Sequence, residues 1–98
     1  MNGKEYNNGK LIYEGGYLDG EKNGKGIEYN INGEIIFEGQ YLKGERNKGK
    51  EYYEGKLLFE GEYLNGKKWN GKGKGSDESG EFVVDYVEGI TSPKKYLK

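Results

Sequence analysis

Three stretches of this 98-residue chain repeat one arrangement of apolar and polar positions: "LIYEGGYL" (11–18), "IIFEGQYL" (35–42) and "LLFEGEYL" (57–64). Successive side chains of a strand point to opposite faces, so the pattern is sorted by a period of two. In the third stretch Leu57, Phe59, Gly61 and Tyr63 share one face, and Leu58, Glu60, Glu62 and Leu64 share the other. The same split groups Leu11, Tyr13, Gly15 and Tyr17, then Ile35, Phe37, Gly39 and Tyr41. Shorter strands are predicted at "GKEYN" (3–7), "GIEYN" (26–30) and "GKEYY" (49–53). Asn-Gly pairs at 2–3, 8–9, 23–24, 32–33, 65–66 and 70–71 predict the turns, because a type I′ hairpin needs φ > 0 at both central residues. A helical period does not survive so many glycines, each of which costs about 1 kcal/mol in a helix.

The pattern is also an internal repeat. Alignment on [YF]-E-G-x-Y-L-x-G starts units at Tyr13, Phe37 and Phe59, spaced by 24 and 22 residues, and a degenerate unit, "FVVDYVEG", starts at Phe82. Residues 3–18 match 49–64 at eleven of sixteen positions, so the chain opens on a half unit. The expected organisation is a repeat array over 1–89, made of a half unit (3–12), units 13–36, 37–58 and 59–81, and a degenerate cap (82–89). A tail, 90–98, follows it. A period of this size signals stacked units, none stable alone. The fold class predicted is all-β: an elongated, single-layer antiparallel meander of stacked β-hairpins.

Glycine between two aromatics weakens a strand and marks a place where another group comes close. The visitor expected is an aromatic ring of the neighbouring strand, so that Tyr and Phe rings interlock with glycines across the sheet. In the degenerate unit Val84 stands where the mid-strand glycine is expected, which suits a terminal cap.

Composition sharpens this picture in two ways. Low apolar content and 34% charged residues would by themselves suggest disorder, but ten Tyr, three Phe and one Trp carry enough buried area for an ordered, thin fold. The formal charge is −1, with both signs mixed through the repeats, so no global field recruits nucleic acid or membrane. Without cysteine there are no disulfides or thiolate metal sites. No run is long and apolar enough to span a membrane, and "MNGKEYNNGK" is not a signal-peptide pattern, so a cytoplasmic location is expected.

"YEGGYLDGEKNGKG" (13–26) resembles the MORN repeat, whose unit has the form Y-x-G-x-[WY]-x-x-G-x-x-x-G-x-G, and fits it at every fixed position. "FEGQYLKGERNKGK" departs at Phe37 and is one residue short in its turn, while "FEGEYLNGKKWNGKG" has one residue more around Trp69. The likeness covers residues 3–75 well and 76–89 poorly. "GKEYYEGKL" is also similar to the bacterial MORN variant of antitoxin-like proteins. The resemblance implies a meander of hairpins that serves as a binding scaffold for protein partners or membrane-associated assemblies, some of them linked to acidic phospholipids.

Candidate chemistry is sparse. "GKKWNGKG" (66–73) nearly spells a phosphate loop, but Gly73 replaces the magnesium-binding hydroxyl and the glycines belong to the repeat, so no nucleotide or other cofactor is expected. With no histidine or cysteine, and with Glu14, Glu38 and Glu60 recurring as a solvated row, no catalytic residues and no metal site are expected, and the chain is read as non-enzymatic. Lys22, Arg46, Lys67 and Lys68 recur at one turn and are expected to stack along an edge. With Lys72 and Lys74 they are the candidate contacts for an anionic partner, a role that competes with that of a soluble lysine-rich turn. Tyr13, Tyr17, Phe37, Tyr41, Phe59, Tyr63 and Trp69 are the candidate partner-binding aromatics, each structural singly and together lining a groove.

The function expected is therefore a binding or scaffold module that engages a macromolecule, foremost a protein, through this aromatic groove. Two alternatives stand beside it: a peripheral module for acidic phospholipid head groups using the lysine row, and an antitoxin-like inhibitor that masks one enzyme. No nucleic-acid partner is expected. Self-association through an end strand is expected unless the tail covers it.

Overall fold

The computed structural model describes residues 1–97; Lys98, the last residue of the tail, lies outside the described residues. Ten strands follow one another: β1 (Asn2–Asn7), β2 (Lys10–Leu18), β3 (Glu21–Tyr29), β4 (Ile35–Leu42), β5 (Glu45–Tyr53), β6 (Lys56–Leu64), β7 (Lys67–Asp77), β8 (Gly80–Val87), β9 (Ile90–Thr91) and β10 (Lys95–Tyr96). They form one antiparallel sheet in which each strand from β1 to β8 pairs with its sequence neighbour, and β9 and β10 both lie against β8. The molecule measures 43 × 29 × 15 Å, a single layer of consecutive hairpins, as the period-two pattern predicts.

Six hairpins turn on a non-glycine residue followed by glycine, both left-handed: Asn8-Gly9, Asp19-Gly20, Lys43-Gly44, Glu54-Gly55, Asn65-Gly66 and Glu88-Gly89. Only two of the six Asn-Gly pairs are therefore such turns. Asn32-Gly33 belongs to a longer loop in which the Asn30 side chain accepts the N–H groups of Asn32 and Glu34. The pairs at 2–3, 23–24 and 70–71 lie inside β1, β3 and β7. The reason is that Gly3 and Gly71 are needed elsewhere, in a row of glycines that crosses the sheet. Register places Gly3, Gly15, Gly26, Gly39, Gly49, Gly61 and Gly71 directly opposite one another, one per strand from β1 to β7.

Along β2, β4 and β6 the period-two split is broken at one point each, and a second register shift in each repeat falls on β3, β5 and β7. Tyr13, Phe37 and Phe59 pair with Glu5, Glu28 and Glu51, yet the next pairs are Leu11–Tyr6, Ile35–Tyr29 and Leu57–Tyr52. Ile12, Ile36 and Leu58 are each one residue more than the partner strand has, a β-bulge. Residues directly opposite in a ladder share a face. Leu11, Ile35 and Leu57 therefore lie with Tyr6, Tyr29 and Tyr52 on the face opposite the aromatic core, a correction to the grouping read from alternation.

The core is a chain of seven rings on the other face. In order they are Tyr17, Tyr13, Tyr41, Phe37, Tyr63, Phe59 and Tyr86, each nearly perpendicular to the next with centroids 5.1–5.7 Å apart. Edge-to-face contact lets the positive rim of one ring meet the negative face of its neighbour. The rings reach over the glycine row: a methyl group built on Gly26 would stand 2.5 Å from Tyr13 Oη, and one on Gly49 would stand 2.7 Å from Phe37 Cζ. At Gly39 the obstruction is different, being the carbonyl oxygen of Lys48 and, at 2.6 Å, Gly49 Cα. The bare backbone there admits the neighbouring strand rather than a ring.

The cap also differs from the sequence alignment. β7 and β8 pair without a bulge, so Tyr86, not Val84, lies opposite Gly71 at the end of the glycine row, and Val84 lies opposite Gly73. The tail closes the sheet. Thr91 pairs with Tyr86 and Lys95 with Val83, while Tyr96 stacks edge-on against Phe82 and donates its hydroxyl to Asp77. Among the described residues the outer edge of β1 has no strand beside it.

Candidate functional site

On the core face three copies of one cluster recur. Glu5, Glu28 and Glu51 come from β1, β3 and β5, Tyr17, Tyr41 and Tyr63 from β2, β4 and β6, and Lys22, Arg46 and Lys68 from β3, β5 and β7; β3 and β5, expected to be short, are nine residues each. Tyr17 donates its hydroxyl to Glu5, Tyr41 to Glu28 at 2.6 Å and Tyr63 to Glu51 at 2.6 Å. The bases close each cluster. Lys22 Nζ is 4.0 Å from Glu5 and Lys68 Nζ is 3.9 Å from Glu51, while Arg46 spans two units, reaching Glu28 at 2.9 Å and Glu51 at 3.2 Å. Each base also lies over a ring: Lys22 over Tyr13 at 4.8 Å, Arg46 over Phe37 at 4.6 Å and Lys68 over Phe59 at 5.5 Å. A cation over a ring face is attracted by the ring quadrupole.

The electrostatics follow from this packing. Burial alone would raise the Glu28 carboxyl, but the hydrogen bonds from Arg46 and Tyr41 and the nearby charges of Arg46 and Lys22 outweigh it and hold the carboxyl below its ordinary range. Burial and then the bonded carboxylates push the Tyr41 and Tyr63 hydroxyls upward. Tyr17 is pushed up to about 12, by desolvation first and by the hydrogen bond to Glu5 second. These clusters tie neighbouring repeats together.

Each candidate side chain can now be placed. Phe37 and Phe59 are 0% exposed, and Tyr13, Tyr41 and Tyr63 are buried with them. These five are the core, at most 6% exposed, and the cations of Lys22, Arg46 and Lys68 lie over their rings where the sequence pattern predicts a groove. Tyr17 is half-buried at the open end of the ring chain. Trp69, also half-buried, packs with Cζ3 3.3 Å from the Cβ position of Gly89, and its carbonyl accepts the Gly89 N–H at 2.8 Å. Lys22, Arg46 and Lys68 fold inward instead of forming an edge row. Lys67 and Lys74 are exposed, and Lys72 pairs with Asp85 at 2.9 Å.

The opposite face is where accessible side chains gather. Tyr6, Tyr29 and Tyr52, with Leu11, Ile35 and Leu57, make an apolar stripe from β1 to β6. Tyr6 is 60% exposed; Tyr29 and Tyr52 are steadied by donating to Glu14 at 2.6 Å and to Glu38 at 2.8 Å. Beside the stripe runs a shallow trough floored by the glycine row. One wall is a row in ladder register: Lys4, Glu14, Ile27, Glu38, Lys50, Glu60, Lys72 and Asp85. The other wall is Lys25, Gln40, Lys48, Glu62 and Asn70. Sequence reasoning missed the stripe because strict alternation assigned Leu11, Ile35 and Leu57 to the core face. The signal for it was the recurrence of Tyr6, Tyr29 and Tyr52 at intervals of 23.

Among the described residues, no group of three or more His, Cys, Asp or Glu is placed to hold a metal ion. No protein-family model, no curated protein and no solved structure matches the chain.

Proposed function

We propose that this chain is a non-enzymatic interaction module that binds a protein through the face opposite its aromatic core. The observation that carries this reading is the stripe of Tyr6, Leu11, Tyr29, Ile35, Tyr52 and Leu57, exposed at Tyr6 and Ile35 and half-buried at the other four, on a one-layer sheet whose other face is already sealed by its own cations. Tyrosine gives large contact area at low entropic cost, and two of these tyrosines are already held by carboxylates, which lowers the ordering cost of docking. The reading agrees with the scaffold role that the MORN resemblance implies. It differs from the sequence expectation in the face used: partner contacts are assigned to the tyrosine–aliphatic stripe and the trough. Masking of one target enzyme is one form such binding takes. A lipid-binding role has less to rest on, because Lys22, Arg46 and Lys68 are engaged by glutamates.

Affinity capture from the source cell, with mass spectrometry, tests it. Wild-type protein retains a protein partner that a Tyr6→Lys, Ile35→Lys variant with an unchanged circular dichroism spectrum loses, and the wild-type complex withstands high salt. Capture that is unaffected by these changes overturns the reading. So does salt-sensitive binding to phosphatidylserine vesicles with no protein retained, since screening weakens exposed charge contacts and leaves apolar ones.

A further inference from the structure

We infer that the stripe-and-trough face docks a second copy of this chain, face to face, about a two-fold axis parallel to the strands and passing between β4 and β5. The inference rests on the reading of that face as a docking surface and names its occupant. Such an axis lays β4 over β5 of the other copy, β3 over β6, β2 over β7 and β1 over β8, with the height along the strands preserved. Both charged rows are self-complementary under that exchange. In the first row Lys4 meets Asp85, Glu14 meets Lys72, Ile27 meets Glu60 and Glu38 meets Lys50. In the second row Lys25 meets Glu62 and Gln40 meets Lys48. No like charges face each other in either row. At the level of the stripe, Ile35 meets Tyr52, Tyr29 meets Leu57 and Tyr6 meets Val83, while Leu11 meets the aliphatic stem of the exposed Lys74.

Three further properties favour this occupant. An isologous interface must be complementary to itself, which these two mixed-charge rows across β1 to β8 satisfy, since no like charges meet under the exchange, and an arbitrary charged face does not. The face measures 43 by 29 Å, larger than the roughly 800 Å² each partner contributes to a standard interface. Two sheets packed face to face lie roughly 10 Å apart with strands nearly aligned, the arrangement that a two-fold axis along the strands produces. The stripe, half-exposed in one layer, then becomes the middle of a two-layer sandwich.

Lys25 and Glu62 supply the test because both are exposed and neither belongs to the aromatic core. Sedimentation equilibrium over a dilution series is expected to show a reversible dimer. Lys25→Glu alone and Glu62→Lys alone each place like charges opposite twice per dimer and are expected to weaken it at least tenfold, with the thermal melt of the monomer little changed. The double variant Lys25→Glu, Glu62→Lys restores the dimer, and so does mixing the two single variants, which pair with each other. A chain that stays monomeric at every concentration overturns the inference. A dimer indifferent to all four samples overturns it too, and points to pairing through the β1 edge. If the chain is monomeric while the wild type still retains a protein partner lost by the Tyr6→Lys, Ile35→Lys variant, this inference fails and the docking face stands. If neither is seen, both fall.

Discussion

The Arg46 guanidinium lies 4.6 Å from the centre of the Phe37 ring while its Nε and Nη2 donate to the Glu28 carboxylate at 2.9 and 3.1 Å. One side chain thus covers the core and joins two repeats, since Nη1 also reaches Glu51. Arg46→Lys keeps the charge but loses the planar fork. The equivalent positions Lys22 and Lys68 manage with longer contacts of 4.0 and 3.9 Å, so the loss is expected to be small, about 1 kcal/mol. Arg46→Leu leaves the half-buried Glu28 without its base and Glu51 with Lys68 alone, and is expected to cost roughly 2–3 kcal/mol. Urea denaturation of both variants measures the difference.

Phe37 sits in the middle of the ring chain, against Tyr41 and Tyr63, with no exposed surface. Phe37→Ala is expected to remove about 3–5 kcal/mol, enough to unfold a domain of this size. Tyr86→Ala, at the end of the chain and half-buried, is expected to cost clearly less. Equal losses in calorimetry would show that the rings do not act as a serial chain.

Gly39→Ala puts a methyl group against the Lys48 carbonyl oxygen and the Gly49 Cα, atoms of backbone that cannot rotate aside. It is expected to destabilise by roughly 1–3 kcal/mol although alanine is the stiffer residue in the unfolded chain. Gly55→Asn is the contrast: the turn position has φ of +80°, which asparagine tolerates, and nothing stands within 4 Å. Its melting temperature is expected to stay close to wild type. Val84→Gly removes a side chain packed 3.3 Å from the Gly73 Cβ position and is expected to lose stability.

Stability is expected to fall at both ends of the pH scale. Glu28 is held below its ordinary value of 4.5 by Arg46 and Tyr41, so the unfolded chain binds more protons in acid. Its contribution is present above 4.5 and is lost as pH falls through the folded value. Asp77, lowered from 3.8 to about 2 by its hydrogen bonds from Lys94 and Tyr96, adds a second loss between those values. On the alkaline side the folded state holds the Tyr17 proton longer, to about 12 against an ordinary 10.0. Stability from that group is complete below 10 and is lost as pH rises through the folded value. Thermal melts across pH, with tyrosinate absorbance followed in parallel, are expected to show ionisation and unfolding together in alkali.

The sequence by itself determined the all-β meander, because both of its signals are local. Alternation in "LLFEGEYL" needs only the two-residue repeat of a strand, and a left-handed turn such as Asn65-Gly66 needs only its own φ angles. It also determined that aromatics and glycines share a face. What it could not determine is anything set by register between strands. The extra residues at Ile12, Ile36 and Leu58 turn Leu11, Ile35 and Leu57 over to the other face, and a bulge has no alternation of its own to read. The pairing of β7 with β8 put Tyr86 rather than Val84 at the end of the glycine row. Lys22, Arg46 and Lys68 look like a solvated row in sequence. Only the fold brings Glu5, Glu28 and Glu51 from other strands beneath them, 17 residues away in the first and third cases and 18 in the second. Charge pairs and ring contacts across strands depend on positions in space, and tertiary pairing fixes those positions.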